Sequence, residues 1–115
     1  MPDNSEIFDR EAFLNRMMGD KTIVTKIISG VANDMPTMFF DLKQSIKAKN
    51  PREAGRHAHT MKGAALNLIC PLFAKAALDV EKAGKSGDLD AVIRLLPQME
   101  NQWEKLAPQL RKACE

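Results

Sequence analysis

Apolar residues recur in three- and four-residue steps along most of this chain. The clearest series is Ile23, Val24, Ile27, Ile28, Val31, Met35, Met38, Phe39, Leu42 and Ile46, the repeat of a helix with one buried face. Pro36 interrupts it without a polar loop, so the pattern predicts one kinked helix rather than two. A shorter run over residues 9–17, through Ala12, Phe13 and Leu14, predicts a preceding helix that stops at Gly19 and Asp20. A third helix has a clear start. Asn50 suits the N-cap, Pro51 the first helical position, and Glu53 completes a capping-box-like arrangement. Its pattern runs to Leu68. Pro71 opens a fourth helix that passes through Leu72, Ala76, Leu78 and Val80 to about Ala83, with residues 84–88 read as a turn. The fifth covers residues 89–113, bent or interrupted at Pro97 and Pro108. No segment alternates long enough for a strand. Long amphipathic helices joined by short turns predict an all-α fold, an antiparallel four-helix bundle with a short N-terminal helix packed on it. Residues 1–115 are expected to form a single domain, with residues 1–7 a flexible N-terminus.

Composition narrows the function classes. With 17 basic and 15 acidic residues the net charge is +2, spread along all 115 residues. That lacks the clustered basic stripe of a nucleic-acid binder. Cys70 and Cys114 are far apart and make no disulfide framework, so a reduced, cytoplasmic setting is expected. No signal-type segment and no apolar run of about 18 residues occurs, so no membrane span is expected. The start methionine and the full helical set favour a free-standing protein.

The chemistry concentrates in the third helix. At about 100° per residue, Ala54, Ala58, Met61, Ala65 and Leu68 form one narrow stripe, the expected buried face. His59 lies about 140° from its centre and points outward. Arg52, Arg56, Gly63 and Leu66 share that side, and Lys62 flanks it. Glycine inside a helix costs about 0.8–1 kcal/mol relative to alanine. Gly63 lies away from the apolar stripe, so room beside His59 explains it better than helix packing does. A neutral imidazole is a nitrogen nucleophile near pH 7, and an adjacent lysine can offset the charge of a phosphoryl group. Other motifs fail. The P-loop glycine required five residues before Gly84 is Asp79. His57 and His59 diverge by about 200° and cannot share a metal. His57 reads as a half-buried structural histidine, and the seven methionines and Trp103 read as core filler.

The stretch Ala58-His59-Thr60-Met61-Lys62-Gly63-Ala64-Ala65-Leu66-Asn67-Leu68 resembles the signature of histidine-containing phosphotransfer (HPt) domains. The proline-bearing helix before it and the Gly-Lys-Ser-Gly-Asp end of the helix after it extend the resemblance to about residues 8–110. It implies a phosphocarrier in a multistep His–Asp relay, with His59 as phosphoacceptor, Lys62 stabilising phosphoryl charge and Gly63 leaving space for the partner's loop. The implied partners are response-regulator receiver domains and a hybrid sensor histidine kinase. No ATP site or cofactor of its own is implied, Mg²⁺ being supplied by the receiver. Arg52, Arg56 and Leu66 are the expected docking residues, and a monomer is the expected state. Ile69 and Cys70 depart from the glycine and small residue frequent in the family, and Ala64 and Ala65 from its serines. In some members a polar side chain of the next helix bonds the histidine, and Glu81, Lys82 and Lys85 are the candidates here. The alternative is a helical interaction module in which His59 is incidental.

Overall fold

The protein is described here by a computed structural model covering residues 4–114. Every regular element among them is helical: α1 (Asn4–Ile7), α2 (Arg10–Arg16), α3 (Lys21–Lys47), α4 (Pro51–Leu68), α5 (Pro71–Lys85) and α6 (Leu89–Ala113). Side-chain caps fix four of the starts. Asp9 accepts from the Ala12 amide at 3.1 Å, Asp20 from those of Thr22 and Ile23 at 3.1 Å, Asn50 from Glu53 at 3.1 Å and Asp88 from Ala91 at 3.0 Å. Each satisfies a backbone donor that the first helical turn leaves free. Helix α5 lacks such a cap and begins instead on Pro71, whose fixed φ suits the first turn.

Four details differ from the sequence reading or refine it. Residues 4–7 of the stretch expected to be flexible form the single turn α1, while residues 1–3 lie outside the described residues. Helix α3 is continuous through Pro36, and α6 is continuous through Pro97 and Pro108 rather than interrupted. All three prolines are exposed, so the carbonyls they leave unbonded can be hydrated. Helix α5 runs on to Lys85, so Gly84 is a helical residue and not part of a turn. The stop comes later, at Gly87 with φ +75°. Finally, Ile69 ends α4 in the left-handed conformation at φ 62°. It supplies with a β-branched residue the geometry that glycine provides at little strain.

Helix α3 packs on α4 and α6, and α5 packs on the same two. Val24, Ile28, Met35 and Leu42 of α3 meet Ala58, Met61 and Leu68 of α4, Phe73 and Val80 of α5, and Val92, Met99 and Leu106 of α6 in one core. Phe73 lies edge-on to both Phe39 (6.2 Å) and Trp103 (6.1 Å), a favoured arrangement of ring quadrupoles. Met18 is a correction to the core-filler reading, since it is exposed at the end of α2. His57 is half-buried with Nε2 3.6 Å from Glu53 Oε1, as its face of α4 suggests. Helix α2 lies over the end of α4, and α1 packs on α5 and α6. Arg16 Nη1 donates to the carbonyls of Leu66 (3.3 Å) and Asn67 (3.1 Å), and the Asp9 amide donates to Ile69 O (2.9 Å). A cation on the last carbonyls of a helix satisfies acceptors and opposes the helix dipole.

Lys49, which follows α3, also has a positive φ of 57° and is exposed. Its Cβ crowds the backbone there. Lys49→Gly is expected to raise the unfolding free energy by about 0.5–1 kcal/mol in a urea titration, the relief of strain exceeding glycine's entropy loss.

Candidate functional site

Helices α4 and α5 present the chemistry. His59 stands on the outer face of α4 with its side chain 62% exposed, and its Nδ1 lies 3.1 Å from Oε2 of Glu81 on α5. Glu81 itself is only 4% exposed. Two ammonium groups close on the same carboxylate: Lys62 Nζ at 2.7 Å from Oε1 and Lys85 Nζ at 2.6 Å from Oε2. Helix periodicity explains the convergence. Lys62 follows His59 by three residues on α4, and Lys85 follows Glu81 by four on α5.

Burial pushes the Glu81 carboxyl up, but hydrogen bonds from Lys62, Lys85 and His59 and the charge of Lys62 outweigh it and hold the group down at about 2. Glu81 is therefore ionised at neutral pH and can only accept hydrogen bonds. The His59 nitrogen facing it must donate, so in the neutral ring the proton sits on Nδ1 and the lone pair on Nε2. A depressed carboxyl stabilises the fold above its unfolded value of 4.5, and that contribution disappears as the pH falls towards the folded value near 2. Thermal unfolding followed by circular dichroism should show a Glu81-dependent loss of stability between those limits. That part of the loss should be missing in Glu81→Gln.

The other predicted site residues fall around this centre. Gly63 is half-exposed, and a Cβ added there would meet nothing within 4 Å. Open space of this kind also surrounds Gly30 on α3, so it acquires meaning at Gly63 only through its place on the His59 helix. Arg52 and Arg56 are exposed, with Arg56 Nη1 3.0 Å from Glu53 Oε2. Leu66 is 53% exposed and lines a shallow groove with Lys62, Pro71, Ala74, Lys75 and Leu78. Of the three candidates for bonding His59, Glu81 makes the contact, Lys85 reaches the site through Glu81, and Lys82 is exposed. One signal could have singled out Glu81. It falls in register with Ala77 and Gly84 on the apolar face of α5, where an unpaired carboxylate would be costly.

Among the described residues no group of three or more His, Cys, Asp or Glu side chains could hold a metal ion. No helix is long and apolar enough to cross a membrane. Cys70 is buried, and burial pushes its thiol up to about 12, far from a reactive thiolate.

The Hpt domain family matches residues 27–113. The chain therefore belongs to the Hpt domain family, whose members take part in phosphotransfer in His–Asp phosphorelays and act as phosphocarriers rather than kinases. Hpt domains interact with receiver domains and kinases of those relays. No curated protein and no solved structure matches the chain. The family match begins within α3, so α1 and α2 lie outside it.

Proposed function

We propose that this protein carries a phosphoryl group on His59 Nε2, receiving it from the aspartate of one receiver domain and passing it to another. The observation that carries this reading is an exposed imidazole whose Nδ1 is tied to a buried, lysine-paired carboxylate. In the transfer step the Nε2 lone pair attacks phosphorus, and an Nε2–P bond forms. The bond from phosphorus to the aspartyl oxygen breaks, and its electron pair leaves with the receiver's carboxylate. The ring keeps its Nδ1 proton and so gains positive charge, which Glu81 opposes at 3.1 Å. This parallels the carboxylate that orients a catalytic histidine and stabilises its cation. Return of the group reverses each change.

Lys62 would lend charge to the phosphoryl oxygens, and Gly63 would leave room for the receiver's active-site loop. Arg52, Arg56 and Leu66 would belong to the docking face. Mg²⁺ would come with the receiver, and the protein would need no cofactor or ATP site of its own. The four long helices, each packed on two neighbours in a closed ring, are read as an antiparallel bundle, acting as a monomer in the cytoplasm.

The test is transfer from an isolated receiver domain charged with labelled acetyl phosphate and Mg²⁺. The expected product is labelled protein whose label is lost in acid and kept in alkali, as a phosphoramidate bond requires. A protein that binds such receivers but never takes label would instead be an interaction module.

A further inference from the structure

Helices α4 and α5 approach most closely at two glycines. A Cβ built on Gly84 would lie 2.5 Å from Gly55 Cα, 2.5 Å from Pro51 O and 2.6 Å from Gly55 N. One built on Gly55 would lie 3.1 Å from Glu81 O, 3.1 Å from Gly84 Cα and 3.3 Å from Gly84 C. All of these neighbours are backbone atoms, so no side chain can swing aside to make room. Neither glycine has a positive φ, so neither serves a turn. Each gives up about 0.8–1 kcal/mol of helix propensity relative to alanine, and a close helix crossing is what that loss permits.

The crossing adjoins the site. Gly55 lies one helical turn before His59 on α4, and Gly84 lies three residues after Glu81 on α5. The two helices run in opposite directions, so Gly55 with Gly84 and His59 with Glu81 are successive rungs about 5 Å apart along the pair. The separation at the first rung governs the separation at the second. Glu81 must span the gap while buried, with its backbone carbonyl already against Gly55. Ordinary carbon contacts need about 3.5–4.0 Å, so a methyl group at Gly84 would part the helices by about 1 Å. The 3.1 Å contact from Glu81 to Nδ1 would then exceed hydrogen-bonding range.

We infer that Gly55 and Gly84 are positioning residues for His59: their close crossing sets the α4–α5 distance at which Glu81 reaches the ring and holds the proton on Nδ1. The functional consequence rests on the phosphotransfer reading above, whereas the geometric one does not. Two measurements on the full chain test it. Nitrogen-15 spectra of the labelled histidines report the His59 tautomer, and the rate of uptake from phosphoramidate, a small donor, reports phosphorylation without any docking surface. The unaltered protein should show the Nδ1–H form. Gly84→Ala should give mixed tautomers and at least about tenfold slower uptake, as misplacements near 1 Å do. Gly55→Ala, with its milder overlap, should give a smaller change in both. In a Glu81→Ala background, Gly84→Ala should slow uptake no further, because its effect passes through Glu81.

Unaltered tautomer and rate in folded Gly84→Ala would overturn the inference, as would undiminished slowing in the Glu81→Ala background. If Gly84→Ala fails to fold by circular dichroism, Gly55→Ala decides by the same two criteria. If the unaltered protein takes no label, the phosphotransfer reading falls and the tautomer spectra still decide the positioning.

Discussion

His59→Gln is expected to abolish phosphoryl uptake from a charged receiver while leaving the fold almost untouched. The two halves of that result have separate causes. The ring is 62% exposed and its hydrogen bond is to Glu81 Oε2, so its removal takes little from the core. Surface changes of this kind fall within about 0.5 kcal/mol, and loss of the Glu81 contact adds only the worth of one hydrogen bond, about 1 kcal/mol. The loss of function should be total, because glutamine has no basic nitrogen with a lone pair to offer phosphorus. The measurement is the amount of acid-labile label at saturation, beside a thermal melt. Label surviving in His59→Gln would move the acceptor elsewhere. His57 would then be the first suspect, being the other histidine of the chain. Its half-buried ring near Glu53 makes that outcome contrary to expectation.

Glu81→Gln is expected to slow single-turnover transfer by about 100-fold, less than the roughly 10⁴-fold that the corresponding Asp→Asn change costs a catalytic triad, because His59 attacks directly and need not take a proton from another nucleophile. Glutamine keeps the size of the side chain and removes its charge. Its amide can turn either an acceptor or a donor towards Nδ1, so the tautomer is no longer fixed. The positive charge that the ring gains on phosphorylation loses its counterion. The ammonium groups of Lys62 and Lys85, now at 2.7 Å and 2.6 Å from the carboxylate oxygens, would face the charged ring without an anion between them. Lys62→Met should be milder, since Lys85 still pairs with Glu81. An unchanged rate in Glu81→Gln, with His59 still labelled, would mean that the carboxylate contributes only to structure.

Much of this was legible in the sequence because it is local. The cap at Asn50 and the three- and four-residue apolar steps are read along a single helix. The outward direction of His59 and the bare spot at Gly63 follow from angular position alone. Glu81 was different. Its place on the apolar face of α5 marks it as a buried carboxylate in need of a partner, but that the partner is His59 depends on the register of α5 against α4, which no local pattern reveals, so it stands beside Lys82 and Lys85 as a candidate. Gly84 misled for a related reason. Glycine near a helix end looks like a stop signal, but here it serves a close crossing and Gly87 makes the stop. Of the two outcomes the sequence left open at Pro97 and Pro108, interruption does not occur, because a proline on the solvent side of a long helix leaves its core contacts intact.

Trp103 has a practical consequence. The chain has no tyrosine and one indole, lodged beside Phe73 and lining the α3–α6 groove with Pro36 and Phe39. That groove is on the opposite side of the helix ring from the α4–α5 pair bearing the histidine. Ultraviolet-excited emission therefore originates at one place, remote from the phosphoryl chemistry. It should shift when the core opens and stay constant when a receiver lands, giving every variant an internal, label-free gauge of integrity.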